Sequence, residues 1–236
     1  MRSRIKDMST VTYARIIGAL YLVIIVFGLF SEVVVRGGLV VRGDAEATAG
    51  NILSSEWLFR IGFASDLVIF LCDVAVAMML YVLLRSVSRT GSLIAAGFRL
   101  TGTAIYGVNL LNYLAALLVL GGSAGYLASF SSGQVDSMAL MFLDIHRHGY
   151  DLGLVFFGLH CIFLGYLLYV SGYFPKVLGI LMYLAGAGYV IGSFTLFLAP
   201  GYSSAVAPVY IAPLAGELAL CLYLLIRGAR ASKAAE

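Results

Sequence analysis

Charge is scarce in this chain, and the shortage sets its class. Only 11% of the 236 residues are charged, 61% are hydrophobic, and the mean hydropathy is +0.99. A soluble domain carries about a quarter charged residues, so an ordinary aqueous fold is excluded. A net charge of +3 is too small to draw nucleic acid. Cysteine is scarce too: Cys72, Cys161 and Cys221 all lie inside apolar runs. No even set of loop cysteines offers a disulfide framework, and no CxxC or CxxCH motif offers a zinc knuckle or covalent haem. These thiols read as small hydrophobes. Histidine occurs three times, at His146, His148 and His160, and no HExxH motif is present. Proline is missing from the interior of the first five apolar segments, and Pro208 and Pro213 mark only the last.

What is present is hydrocarbon in span-length blocks. A helix that crosses a bilayer needs about 20 mostly apolar residues. Six segments qualify, roughly 15–35, 58–84, 93–120, 150–171, 177–199 and 207–226. The expected fold is therefore an all-α, polytopic membrane helix bundle of six transmembrane helices in a single domain. The first segment follows Arg2, Arg4, Lys6 and Arg15 as a signal peptide would, but no small-residue cleavage site precedes Glu32. It reads as a retained helix.

Lys and Arg in the short loops set orientation. The N-terminus, the 85–92 turn (Arg85, Arg89), the 172–176 turn (Lys176) and the C-terminal tail (Arg227, Arg230, Lys233) are basic. The alternate loops hold Asp44, Glu46, Glu56, Asp136 and Asp144, with Arg36, Arg42 and Arg147 as exceptions. Both termini are accordingly expected in the cytoplasm, in the cell inner (cytoplasmic) membrane. Trp57 and the group Tyr166, Tyr169 and Tyr173 sit where aromatic belts belong. Gly188-x-x-x-Gly192 is a small-residue pattern that reads as helix packing rather than as a binding site. In the outer segments, Asp44 to Asn51 suits a short helix. Residues 134–148 carry Met138, Met141, Phe142 and Ile145 at helical spacing. That pattern predicts an interfacial helix, with an outward extension of the fourth span as the alternative.

Ionisable residues inside spans are costly and are functional candidates by default. With a rise of about 1.5 Å per residue, Asp66, Asn112, His160 and Glu217 lie roughly 12–16 Å from the outer span ends. Asp73 and Asn109 lie roughly 18–22 Å deep on the same rise. Asp66 and Asp73, seven residues apart, share one face of the second span, and Asn109 and Asn112 share a face of the third. Four spans thus place polar groups in one layer near the midplane, the expected ligand-binding set. Glu32, Arg60, Arg99 and Asp151 are secondary candidates. Arg99 lies about 9 Å in from the cytoplasmic end of its span. Snorkelling to the interface is expected there, ahead of a reach toward Asp73.

The run SEVVVRGGLVVRGDAEATAGNILSSEWLFRIGFASDLVIFLCDVAVAMMLYVLLR, then NLLN, then LDIHRHGYDLGLVFFGLHCIFLGYLLYVSGYFPKVLGILMYLAGAGY, then GELALCLYLL, resembles the bacterial integral-membrane family known as domain of unknown function 4386. The resemblance covers about Ala14 to Arg227. Positions that match the family pattern include Glu32, Asp44, Arg60, Asp66, Asp73, Asn109, Asn112, Asp151, His160 and Glu217. Arg42 departs from it, since proline is common there, and this touches only the outer loop. The resemblance implies a fold and a membrane location, and supplies no activity.

Three readings remain open from the sequence. The first is binding or transport of a small solute or cation between spans, with proton coupling through Asp66, Asp73 or Glu217. A second is a membrane-embedded metal enzyme, for which His160, Asp66, Asp73 and Glu217 supply suitable ligand types. It is weakened by the single intramembrane histidine, which also cannot make a bis-histidine haem site. The third is a non-catalytic partner or sensor subunit. Beyond the lipid bilayer, no partner, cofactor or oligomeric state is written in these residues.

Overall fold

The computed structural model of the chain describes residues 9–121 and 125–229. Arg2, Arg4, Lys6, Arg230 and Lys233, which entered the orientation argument, lie outside the described residues. The described residues are helical apart from short connections, without strands, and hold six helices long and apolar enough to cross a membrane.

The first span begins as α1 (Thr10–Leu29), where the Ser9 hydroxyl caps the Thr12 amide at 3.1 Å. It continues through a π-helical segment, Phe30–Arg36, and a last turn, Gly37–Leu39. Gly43 turns the chain at φ 80°, and Asp44 then caps α2 (Ala45–Ser54) by accepting from the Ala47 amide at 2.9 Å. The remaining long helices are α3 (Glu56–Leu84), α4 (Arg89–Leu120), α5 (Ser132–Val170) and α6 (Lys176–Leu198). Short 3-10 and α turns over 200–210 lead into α7 (Ile211–Ile226), with Pro213 in its first turn, where no amide partner is lost.

Of the two readings of 134–148, interfacial helix or outward extension of the fourth span, the structure shows the extension: the segment is part of α5. At 39 residues this helix is about 58 Å long by its rise, nearly twice a hydrocarbon core of about 30 Å. Its buried side here is Ala139, Leu143 and His146, while Met141 and Ile145 face outward. Of the stripe read from the sequence, Met138 and Phe142 are half-buried and Met141 and Ile145 are exposed, so the packed face lies beside it.

Burial runs opposite to that of a soluble protein. Asp66, Asp73, Arg99, His160 and Glu217 are buried, whereas Val108 and Leu111, flanking the buried Asn109, are 70% and 62% exposed. Lipid tails welcome such apolar faces, and buried charges must find partners inside. The polypeptide divides into two compact units, each described by itself below. Unit 1 comprises the described residues of Met1–Val23, Cys72–Thr103 and Leu152–Glu236, and unit 2 comprises Ile24–Leu71 and Ala104–Asp151.

In unit 1, α5 and α6 form a hairpin with glycine at the crossing. A Cβ at Gly165 would lie 2.8 Å from the Gly179 carbonyl oxygen, and one at Gly179 would lie 2.7 Å from that of Gly165. Gly158 and Gly186 form a second reciprocal pair. The hairpin reverses at Gly172, whose φ is 69°. Gly188 faces Pro213 and Gly192 faces the Tyr210 ring, so this small-residue pattern packs α6 against the α7 segment. In unit 2, Gly62 lets Val35 and the Tyr113 hydroxyl approach the α3 backbone. Tyr113 also donates to the Phe59 carbonyl at 2.9 Å, and its ring stacks on Phe59 at 4.0 Å.

Candidate functional site

Arg99 organises unit 1. It is fully buried, which overturns the snorkelling expectation. Snorkelling needs a path to water, and here the guanidinium finds its partners within the spans instead. Nη2 donates to Asp73 of α3, while Nη1 donates to the Tyr21 hydroxyl at 2.7 Å and contacts His160 Nε2 at 3.1 Å. The Thr103 hydroxyl, one helical turn beyond Arg99, donates to the other Asp73 oxygen. The rings of Tyr21 and Phe157 lie 4.8 and 4.9 Å from the guanidinium carbon, so cation–π attraction adds to the ion pair. Removing Asp73 or Arg99 alone would leave the other's charge stranded in a dry site.

The partners fix the histidine's protonation. His160 Nδ1 lies 2.8 Å from the Ala95 carbonyl oxygen, which can only accept. The proton is therefore on Nδ1, and Nε2 offers its lone pair to Arg99. After all these contacts the Arg99 Nε still has no hydrogen-bond partner. An unsatisfied buried donor is a place for a water or a ligand oxygen.

Glu217, on α7, stands apart from the ion pair. Its carboxylate accepts from the Tyr189 hydroxyl of α6, and no ion pair involves it among the described residues. Phe157 links the two groups: it stands 5.6 Å from the His160 ring and 5.5 Å edge-on from Tyr189.

Unit 2 holds a second arginine centre. Arg36, at the end of the π-helical segment, donates from Nε to Glu32 at 2.8 Å and from Nη1 to Asp66 at 2.6 Å. Asp66 is buried, whereas Glu32 is 68% exposed. Asn109 and His146 pair reciprocally. The Asn109 amide donates to the His146 carbonyl at 2.7 Å, and the ring Nδ1 lies 3.2 Å from the Asn109 carbonyl. Asn112, half-buried, donates to the Asn109 side-chain oxygen at 3.1 Å. The single intramembrane histidine expected from the sequence left His146 outside the spans; the continuation of α5 buries it instead.

The six primary candidates thus fall three to each unit: Asp73, His160 and Glu217 in unit 1, Asp66, Asn109 and Asn112 in unit 2. Among the secondary candidates, Arg60 pairs with Glu56 one turn away on a half-exposed surface. Asp151 is half-buried on α5. Tyr21, Arg36, Thr103, His146 and Tyr189 were missed. The four-residue spacing of Glu32 to Arg36 and of Arg99 to Thr103 was the available signal. For a metal, the donor set is wanting. No three His, Cys, Asp or Glu side chains among the described residues are grouped to hold an ion, and the His160 lone pair is committed to Arg99.

A protein of Archaeoglobus fulgidus, itself uncharacterised, is 30% identical over 165 residues, covering 70% of this chain and 82% of that relative. No solved structure matches the chain. The family model described as Domain of unknown function (DUF4386) matches residues 16–228. With nearly the whole chain matched and six spans in place, this multispan membrane protein belongs to the DUF4386 family.

Proposed function

We propose that the protein binds or transports a small solute or cation from the buried cluster of unit 1, centred on Asp73, Arg99 and His160. The observation that carries this reading is Arg99: a guanidinium wholly inside the spans, ion-paired, with one donor, Nε, left over. Holding helices together needs no charged group, because apolar contacts and neutral hydrogen bonds do so at lower cost in lipid. The leftover donor suits an oxygen of a small polar solute. With Glu217 added, the buried groups described in unit 1 set two carboxylates against the one guanidinium of Arg99, which leaves room for one positive charge. The reading includes an inner-membrane location with both termini in the cytoplasm. Arg85, Arg89, Lys176 and Arg227 on one set of connections, opposite Asp44, Glu46, Asp136 and Asp144, support it.

The test is native mass spectrometry of the purified protein, with uptake of labelled small ions and polar solutes into proteoliposomes. Wild type should retain an adduct or accumulate a solute, and Asp73→Asn should lose it while still eluting as a folded species. Equal behaviour of the two proteins across the panel would overturn the assignment.

A further inference from the structure

Among the described residues of unit 1, Glu217 is the one carboxylate that is not ion-paired with an arginine. It sits six residues into α7, buried, with the Tyr189 hydroxyl on it and no cation paired to it. A carboxylate in hydrocarbon surroundings requires a compensating positive charge, and the question is which cation fits.

The backbone around the Glu217–Tyr189 pair is closely packed. Gly216 and Gly188 immediately precede Glu217 and Tyr189. A Cβ at Gly216 would come within 2.8 Å of the Leu181 carbonyl oxygen. One at Gly188 would come within 2.9 Å of Pro213 Cδ and of the Val209 carbonyl oxygen. A metal ion would need several donors, and no three His, Cys, Asp or Glu side chains among the described residues are grouped to hold one. A proton needs no volume, and a phenol hydroxyl is a suitable neighbour for a carboxyl that takes and gives one.

We propose that Glu217, steadied by the Tyr189 hydroxyl, is a reversible proton-binding site within the membrane spans. The groups around it come from every neighbouring helix. Tyr189 lies on α6, Tyr21 on α1 and Cys161 on α5, with Asp73 of α3 and Arg99 of α4 acting through the field. Its role as the coupling ion rests on the transport reading above; the proton site itself does not.

The experiment is infrared difference spectroscopy of protein reconstituted in lipid, stepped between alkaline and acidic buffer. Wild type should gain a protonated-carboxyl band on acidification that Glu217→Gln abolishes. Tyr189→Phe keeps the ring and the packing, and should move the same band to higher frequency by removing its hydrogen bond. A band unchanged by both variants, or no such band in wild type, overturns the proton site. In proteoliposomes carrying an internal pH dye, Glu217→Gln should slow acidification after an acid jump by about tenfold. Wild-type vesicles no more permeable to protons than empty ones, with the carboxyl band present, would overturn the coupling role and leave the binding site standing.

Discussion

Two arginine centres of similar composition end up in different physical states. Each pairs an arginine with an aspartate of α3, Asp73 or Asp66, and each has a histidine of α5 in its unit, His160 or His146. In unit 1 the arginine is fully buried and the histidine bonds to it directly. In unit 2 the Arg36 side chain keeps 16% exposure, leans on the exposed Glu32, and leaves His146 to pair with Asn109. Identical charges therefore differ in their dependence on each other. A dry pair is held by its partners alone, whereas a half-wet one can fall back on solvent.

The sharpest way to break this contrast is to remove one carboxylate from each centre. Asp73→Asn strands Arg99 and should cost about 3–5 kcal/mol, read as a large loss of thermal stability in detergent. The double variant Asp73→Asn with Arg99→Met should recover most of that loss, because no lone charge remains. If the single variant is as stable as wild type, the buried pair is not what holds unit 1. Next in size comes the backbone contact of the α5–α6 hairpin. Gly165→Ala should cost about 1–3 kcal/mol through overpacking, whereas Gly107→Ala in unit 2, with open space around its Cβ, should be neutral or mildly stabilising. Asp66→Asn should cost about 1.5 kcal/mol, since Arg36 keeps Glu32 and some water. The smallest effect belongs to Glu32→Gln, under about 1 kcal/mol at low salt and fading in concentrated salt. The Asp73→Asn penalty should persist in that salt. Equal salt sensitivity would erase the distinction between the centres.

The spans were legible because lipid imposes length and polarity together, and the run from Asp44 to Asn51 announced α2 as a short helix. Partner identities were not legible. Helical periodicity says which face Asp73 occupies, but not that Arg99 of α4 comes to meet it. Depth counting grouped Asp66 with His160 at a similar distance from the outer ends, yet the two residues lie in different units. The burial of His146 was hidden by its charged neighbours Asp144, Arg147 and His148, which made α5 look finished at the span boundary. The packed side carries a small Ala139 and a polar His146 beside Leu143, so it made no continuous apolar stripe, and the exposed Met141 and Ile145 drew the eye instead.

The paired glycines of α5 and α6 also bear on movement. Two helices in backbone contact at Gly158 with Gly186, and again at Gly165 with Gly179, cannot rotate about their own axes or slip past each other without collision. Pinned at two points, they behave as a single stiff plank. Any rearrangement that exposes Arg99 must then be carried by α1, α3, α4 or α7 swinging against that plank, which makes the hairpin the fulcrum of unit 1 and assigns the lever arms to its neighbours.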